Sequence, residues 1–386
     1  MTVRRPRLSA VRRGGGRVTN LELFFDLVFV LAVTQCTASI AHDPSWTGIF
    51  EALAVLALLW WAWGGYAWLT SLIDPEEGPV RLLMFGAMAA TVVASLCIPE
   101  VFGDLGLTFA LAYGVLRVAH LGLYAVGARG MPDLRRAIAG LTVSTVLGLS
   151  LLIAASFADG WIRGALWGVA LLLDIGGPFV SDSSGWTMQP EHFSERFGLF
   201  VLIALGESVV AIGAGAEGDV TFGVVVAAVL GVVLAAGLWW MYFDVVSTIA
   251  AERLAETPPG KRQNDLGRDA WAYLHFPMIA GIVLVAFGLK STLAHVGGPL
   301  GAIPGFALLG GTALYLLAHV GFRLRVMGTV SIQRTIAGVA LLALLPVGSR
   351  VPALAAATMT AAVAWAVVAY ETWRYEELRR RVRHHA

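Results

Sequence analysis

Charge is what this chain has least of. Of its 386 residues 14% are charged and 58% are hydrophobic, and the mean hydropathy is +0.75. A soluble protein of this length needs far more charge to cover its surface, so the composition excludes a soluble globular domain and points to a membrane. Cysteine is equally scarce. Cys36 and Cys97 are the only two, both within apolar stretches, and they define neither a disulfide framework nor a metal site. Also missing are a phosphate-binding loop, a glycine dinucleotide fingerprint and a Ser-His-Asp signal. No segment is large enough to form a soluble ATP-binding domain, and the longest inner loop, about 248–270, is short and mixed in charge. ATP-driven pumping and bound cofactors are therefore not expected.

What the chain has in abundance is apolar runs of roughly 18 to 25 residues, the length a helix needs to cross about 30 Å of hydrocarbon. Only helices and closed barrels satisfy their backbone groups in lipid. Barrel strands would alternate in polarity, and a run such as "FGVVVAAVLGVVLAAGLWWMYF" does not. The expected fold class is all-α, a polytopic membrane protein of about twelve transmembrane helices. Hydropathy places them near 22–41, 48–71, 80–99, 105–127, 135–157, 161–180, 194–214, 220–247, 271–293, 302–324, 331–348 and 350–373. The amino end resembles a secretion signal only superficially. Glu22 and Asp26 stand at the threshold of the apolar run and no small-x-small cleavage site follows, so it reads as an uncleaved first span.

The basic residues are distributed unevenly. "MTVRRPRLSAVRRGGGR" opens the sequence with six Arg and no acid, and "RYEELRRRVRHHA" closes it with five Arg. An even number of spans puts both ends on one side, and if that side is cytoplasmic, 23 of the 27 Lys and Arg fall in inner loops and tails. The expected location is thus the cell's inner (plasma) membrane, crossed many times, with both termini cytoplasmic. The tails read as topology signals, so nucleic acid is not an expected partner, whereas the lipid bilayer is.

The sequence also repeats itself. "LLWWAWGGY" (58–66) is echoed by "GLWWMYF" (237–243), "LLMFGAMAA" (82–90) by "YLHFPMIAG" (273–281), "RVAHLG" (117–122) by "LLAHVG" (316–321), and "RRAIAGL" (135–141) by "QRTIAGV" (333–339). "FVLAVTQ" (29–35) aligns likewise with "VLIALGE" (201–207), which sets Gln35 opposite Glu207. Five echoes in one order imply two parallel six-helix repeats. The expected organisation is a basic tail 1–17, a first repeat 18–180, a connecting loop 181–193, a second repeat 194–373 and a basic tail 374–386.

Polar residues inside the spans need an explanation, because each is expensive in lipid. Glu22 and Asp26 lie four apart on one face of span 1. Asn20 can cap that helix, and the positive end of the helix dipole accounts for the two acids without any further role. Gln35 lies on the opposite side at mid-depth. In "PEHFSERFGLFVLIALGES", Pro190 begins a helix, His192 and Arg196 are four apart, and Glu207 returns to nearly the same face eleven residues later. Glu207 is deep, and is either part of a polar pathway or a structural clamp with Ser208 or a neighbouring helix. His192 and Glu195 have the His-x-x-Glu spacing of di-metal bundles, a single copy that leaves metal binding open. Arg117, His120, Asp174, His275 and His319 are secondary polar candidates. Arg117 with Asp174 reads as an ion pair, and His120 and His319 are repeat-equivalent. The Trp-Trp pairs at 60–61 and 239–240 read as interface anchors.

At "ELFFDLVFVLAVTQ" and "PEHFSERFGLFVLIALGES" the chain resembles the bacterial low temperature requirement protein A family, over residues from about 18 to 375. By position, the resemblance marks Glu22, Phe25, Asp26 and Gln35 in the first block. In the second it marks His192, Glu195, Arg196, Phe197, Gly198, Gly206 and Glu207. It implies these residues as a site but no particular reaction. A fainter resemblance is to six-plus-six-helix potassium channels with Phe-Ser-Asp in the first helix of each repeat. "FFD" stands in that place once, whereas span 7 has "FGL".

The leading functional expectation is a secondary transporter or ion-coupled carrier of an unidentified small solute or ion. Its polar pathway would be formed by Glu22, Asp26, Gln35, His192, Glu195, Arg196 and Glu207. A membrane-embedded enzyme acting on lipid, a passive ion channel and a scaffold are the alternatives.

Overall fold

The structure is a computed structural model that describes residues 17–180, 183–215 and 220–376. The two expected basic tails therefore lie outside the described residues, apart from Arg17 and 374–376. Among the described residues there are helices, turns and isolated bridges, such as that between Pro299 and Pro352, but no strand. The helices are α1 (Asn20–His42), α2 (Trp46–Leu72), α3 (Gly78–Cys97), α4 (Gly106–Gly127), α5 (Pro132–Ala155), α6 (Gly160–Val180), α7 (Pro190–Gly215), α8 (Phe222–Phe243), α9 (Val246–Glu256), α10 (Lys261–Leu266), α11 (Leu274–Ala294), α12 (Ala302–Gly305), α13 (Gly311–Met327), α14 (Ile332–Ala343), α15 (Leu345–Gly348) and α16 (Ala353–Arg374).

Among the described residues, eleven helical stretches are long and apolar enough to cross a membrane. Burial follows the inverted pattern this demands. Apolar side chains such as Leu82, Leu172, Phe222 and Ile336 are exposed, whereas Glu22, Asp26, Arg117, Asp174, His192 and Arg196 are buried. The chain is an all-α multi-pass membrane protein.

The expected span at 331–348 differs from the others. Helix α14 has 12 residues and ends at Ala343, and α15 adds four after a break at Leu344. Pro346 explains the break, because it has no N–H to donate and its ring collides with the carbonyl four residues back. At 1.5 Å per residue α14 covers roughly 18 Å, short of the hydrocarbon thickness. Two further irregularities are π-helical turns, Gly267–Tyr273 before α11 and Phe306–Gly310 before α13.

The chain forms two compact units that are interleaved in sequence. The first takes Met1–Gln35, Ala54–Arg196 and Pro258–Asp265, and the second Cys36–Leu53, Phe197–Thr257 and Leu266–Ala386. In the first, α3 packs on α4, α4 on α5 and α5 on α6. Asn264 ties the short 258–265 segment to this unit by donating to the Ser183 and Trp186 carbonyls at 2.8 and 2.7 Å.

In the second unit α11 crosses α13 and α8 packs on α16. The α11–α13 crossing is a glycine contact: a Cβ on Gly281 would stand 2.6 Å from the Gly311 carbonyl oxygen, and one on Gly311 would stand 2.8 Å from that of Gly281. Lipid tails supply no hydrophobic drive between helices, so such close backbone approach is what membrane helices use to associate. The Trp365 indole N–H donates to the Val233 carbonyl at 2.7 Å, fixing α16 on α8.

Gly281→Ala forces the crossing apart. A loss of about 1–3 kcal/mol is expected, as for other overpacked contacts. A lower melting temperature in detergent checks it, and an unchanged one would show that the helices do not depend on this contact.

Candidate functional site

The residues that assemble the site come from three helices of the first unit. Helix α1 opens with a capping box, Thr19-Asn20-Leu21-Glu22. The Glu22 N–H donates to Thr19 Oγ1 at 3.3 Å, while Glu22 Oε2 accepts from the Thr19 N–H at 2.9 Å and from its hydroxyl at 3.1 Å. The cap is thus Thr19 and not Asn20, which is exposed. Only a residue one place before the helix can reach the third helical N–H while its own N–H meets the Glu at that position.

The other carboxylate oxygen of Glu22, Oε1, faces His192 Nε2 at 2.8 Å and lies 3.7 Å from Arg196 Nη1. One turn further along α1, Asp26 Oδ1 accepts from the Trp63 indole N–H at 2.7 Å and from Arg196 Nη2. Arg196 Nη1 also donates to Thr70 Oγ1 at 2.8 Å, and the guanidinium lies over the Trp63 ring, 5.6 Å from its centroid. Glu22, Asp26, Trp63, His192 and Arg196 are all fully buried. A buried carboxylate–guanidinium pair breaks even against desolvation only when its remaining lone pairs and protons are also bonded. Here Trp63, Thr70 and Thr19 supply most of those bonds. Asp26 Oδ2 and Arg196 Nε are the exceptions: both are buried and have no hydrogen-bond partner.

The His192–Ser71 contact has a further property. His192 Nδ1 lies 3.1 Å from Ser71 Oγ, and Ser71 Oγ is also 3.1 Å from the Ala67 carbonyl oxygen. A carboxylate accepts only, so Nε2 carries a hydrogen toward Glu22. With a neutral imidazole, Ser71 donates to Nδ1. With an imidazolium, Nδ1–H donates to Ser71, whose hydroxyl turns to Ala67. Both protonation states are bonded without movement of a heavy atom.

The chain matches the family described as Bacterial low temperature requirement A protein (LtrA) over residues 17–369. The chain belongs to that family. It is also 34% identical over 289 residues to an uncharacterized protein of Rhizobium meliloti (strain 1021), a match that covers 71% of this chain and 69% of the other. No solved structure matches.

In this LtrA-family chain, then, Glu22, Asp26, His192 and Arg196 come together, and the remaining expected residues stand elsewhere. Glu195, beside His192 in sequence, is exposed, and its Oε2 accepts from the Val18 N–H at 3.3 Å. The His-x-x-Glu pair therefore does not converge, and among the described residues no group of three His, Cys, Asp or Glu could hold a metal. Gln35 is half-buried on α1, and Glu207 is buried on α7 in the second unit. The Ser208 hydroxyl is buried without a hydrogen-bond partner, so Glu207 and Ser208 form no clamp.

The secondary candidates fall into four sets. Arg117 pairs with Asp174 at 2.7 Å and donates to Thr145 at 2.8 Å, and the Tyr113 hydroxyl donates to the same Asp174. His120 packs on Tyr66 and Tyr124 with ring centroids 5.2 and 4.9 Å apart, and neither of its nitrogens has a hydrogen-bond partner. It fits there because α2 has Gly65, where a Cβ would stand 2.7 Å from the imidazole. In the second unit His275 is bonded at both nitrogens: Nδ1 donates to the Ala270 carbonyl at 3.0 Å and Nε2 pairs with the Tyr242 hydroxyl at 2.8 Å. His319 Nδ1 lies 2.6 Å from Arg334 Nη1, and Arg334 also holds Glu371 by two contacts of 2.8 and 2.6 Å.

Trp63, Thr70 and Ser71 complete the site, and sequence reasoning did not single them out for it. Their spacing of seven and eight residues sets them on one face of α2, a signal masked by the aromatic run around them. Trp60 and Trp61 are likewise not interface anchors. They are 2% and 9% exposed, whereas Trp239 is 41% exposed. Trp60 packs on Trp63 with centroids 5.0 Å apart, so Trp60 backs the site instead.

Arg196→Gln leaves two buried carboxylates without their shared cation. A loss of about 3–5 kcal/mol is expected, most of it recovered by adding Asp26→Asn. Unfolding in mixed detergent micelles measures both; equal instability of single and double variants would show that the two side chains are not coupled.

Proposed function

We propose that the chain is a proton-coupled secondary carrier of the bacterial inner membrane, with both termini cytoplasmic. The observation that carries this reading is the Asp26 carboxylate. It sits one turn inside a membrane helix, fully buried, with one oxygen held by Trp63 and Arg196 and the other without a donor. A buried carboxylate oxygen with an open lone pair in lipid is a place for a proton. Beside it, His192 is bonded in either protonation state through Ser71. A carrier needs such an acid and base within reach of each other.

The doubled plan belongs to the same proposal. In each unit a histidine packs on a tyrosine, His120 on Tyr66 with ring centroids 5.2 Å apart and His319 on Tyr242 at 6.0 Å. In each unit a tyrosine hydroxyl also lies near a backbone carbonyl of the helix bearing the Trp-Trp pair, Tyr113 at 3.4 Å from that of Leu58 and Tyr315 donating to that of Leu238 at 2.8 Å. These parallels favour two related six-helix repeats at 18–180 and 194–373, the architecture of several carrier families. In this reading Glu195 is the solvent end of the pathway, and Gln35 and Glu207 are its deeper members. The inner-membrane orientation follows from the skew of Lys and Arg.

Two measurements test the proposal. In proteoliposomes holding a pH-sensitive dye, a pH gradient is imposed and pools of amino acids, organic cations and inorganic cations are added in turn. At least one pool is expected to collapse the gradient, about tenfold or more slowly in Asp26→Asn. In parallel, infrared titration of the purified protein is expected to show a protonated carboxyl band that is absent in Asp26→Asn. No such band, together with no pool that moves protons, would overturn the reading.

A further inference from the structure

The second unit contains a cavity of about 130 Å³, bounded by the ends of α8, α13 and α16 and the starts of α9 and α14. A single water needs only about 10–15 Å³ by the same measure, so the space suits a larger polar group. The exposed Trp239 and Trp373 lie on the same ends of α8 and α16, which sets the cavity at the level of the lipid headgroups.

The charges on its wall do not balance. Arg334 grips both oxygens of Glu371, at 2.8 and 2.6 Å, and Gln333 adds a third donor at 3.0 Å. Arg323 lines the same space as a second guanidinium, attracted by Glu371 and repelled by Arg334. Among the described residues it makes no ion pair or hydrogen bond, and its Nε is buried without a hydrogen-bond partner. Asp244, the remaining charged residue of the wall, already has an interaction of its own within the chain. Two cations around one carboxylate leave a surplus of one positive charge.

Two further groups offer donors. Thr358 and Thr360 of α16 donate to carbonyls four residues back, at 2.7 and 2.8 Å, whereas Thr372 of the same helix lines the cavity and makes no such bond. Helix α9 begins at Val246, also on the wall, without a side-chain cap, which leaves the N–H groups of its first turn without an acceptor among the described residues. The negative ends of α13 and α16 reach the same rim, so the guanidinium and not a helix dipole decides the sign of the ligand. Guanidinium, hydroxyl and backbone N–H together suit the oxygens of a phosphate. Val246, Ile249 and Met327 add an apolar wall that a free phosphate does not need.

We propose that this cavity binds the phosphodiester of an anionic phospholipid. Arg323 takes the phosphate, Thr372 and the first N–H groups of α9 add donors to its oxygens, and the first acyl carbons lie along Ile249 and Met327. The single negative charge of the diester matches the surplus on the wall. A headgroup with an ammonium brings a further positive charge toward Arg323 and Arg334, and both carboxylates of the wall are already engaged within the chain. The site belongs to the second unit and does not depend on the carrier reading.

The test uses the full chain, purified and stripped of lipid in detergent, with ligand binding followed by native mass spectrometry. The probes are dioctanoyl-phosphatidylglycerol, the matching phosphatidylethanolamine and phosphatidylcholine, and glycerophosphoglycerol, which has the diester but no acyl chains. The glycerol lipid is expected to bind one to one, about tenfold more tightly than the other two lipids. Arg323→Gln is expected to weaken it by about tenfold or more, Arg323→Lys by less, since the charge is kept, and Thr372→Val by about fivefold. Glycerophosphoglycerol binding as tightly as the lipid would assign the site to a soluble phosphodiester and overturn the lipid source. Equal binding of all three lipids, or no effect of Arg323→Gln in a protein with unchanged melting temperature, would overturn the proposal altogether. Where Arg323→Gln does not fold, Thr372→Val decides, and unchanged affinity there overturns it as well.

Discussion

The contact between Arg196 and Asp26 governs the first unit. A guanidinium and a carboxylate can stay charged in a medium without water only if nearly every donor and acceptor they carry is met. That requirement explains an otherwise odd set of neighbours. Trp63 supplies an N–H to the acid and a ring face to the cation, and Thr70 accepts from the cation while donating to its own helix at the Tyr66 carbonyl. Glu22 shares the same cation at 3.7 Å and brings His192 with it. The ends of α1, α2 and α7 are thereby defined by polar bonds inside an apolar shell, the reverse of a soluble core.

The other polar sets of the molecule are more nearly satisfied, although Arg117 Nε is buried without a partner. Asp174 accepts from Arg117 and Tyr113, and Arg117 donates to Thr145 as well. His275 is bonded at both nitrogens, and Glu371 at both oxygens. These are networks of the kind that hold membrane helices together. Against them, the open oxygen of Asp26 and the unbonded ring of His120 stand out as places where internal hydrogen-bond partners run out.

Much of this was legible in the sequence, for reasons that differ by feature. Helix length and polarity are written locally, so eleven of the twelve spans could be read from apolar runs; the exception at 331–348 turned on Pro346, whose effect on a run of leucines hydropathy does not register. Glu22, Asp26, His192 and Arg196 could be read because ionisable residues in lipid have few acceptable explanations. Their shared cage could not. Trp63 is indistinguishable in composition from Trp60 and Trp61, and only packing reveals which indole points at a carboxylate. The cap at Thr19 was missed because Asn20 is as good a capping residue by type, and one position decides between them. The π-turns at Gly267–Tyr273 and Phe306–Gly310 have no sequence pattern comparable to apolar periodicity.

The start of α1 has one further consequence. Glu22 closes the first turn through Thr19 with one oxygen and meets His192 of α7 with the other. Helix ends ordinarily fray alone, a local event of little energy. Here unravelling one turn would strip the imidazole of its counter-charge, so the disorder of a terminus and the electrostatics of a buried cluster become a single cooperative transition, and any stretch of chain that pulled on residue 19 would be felt at residue 192.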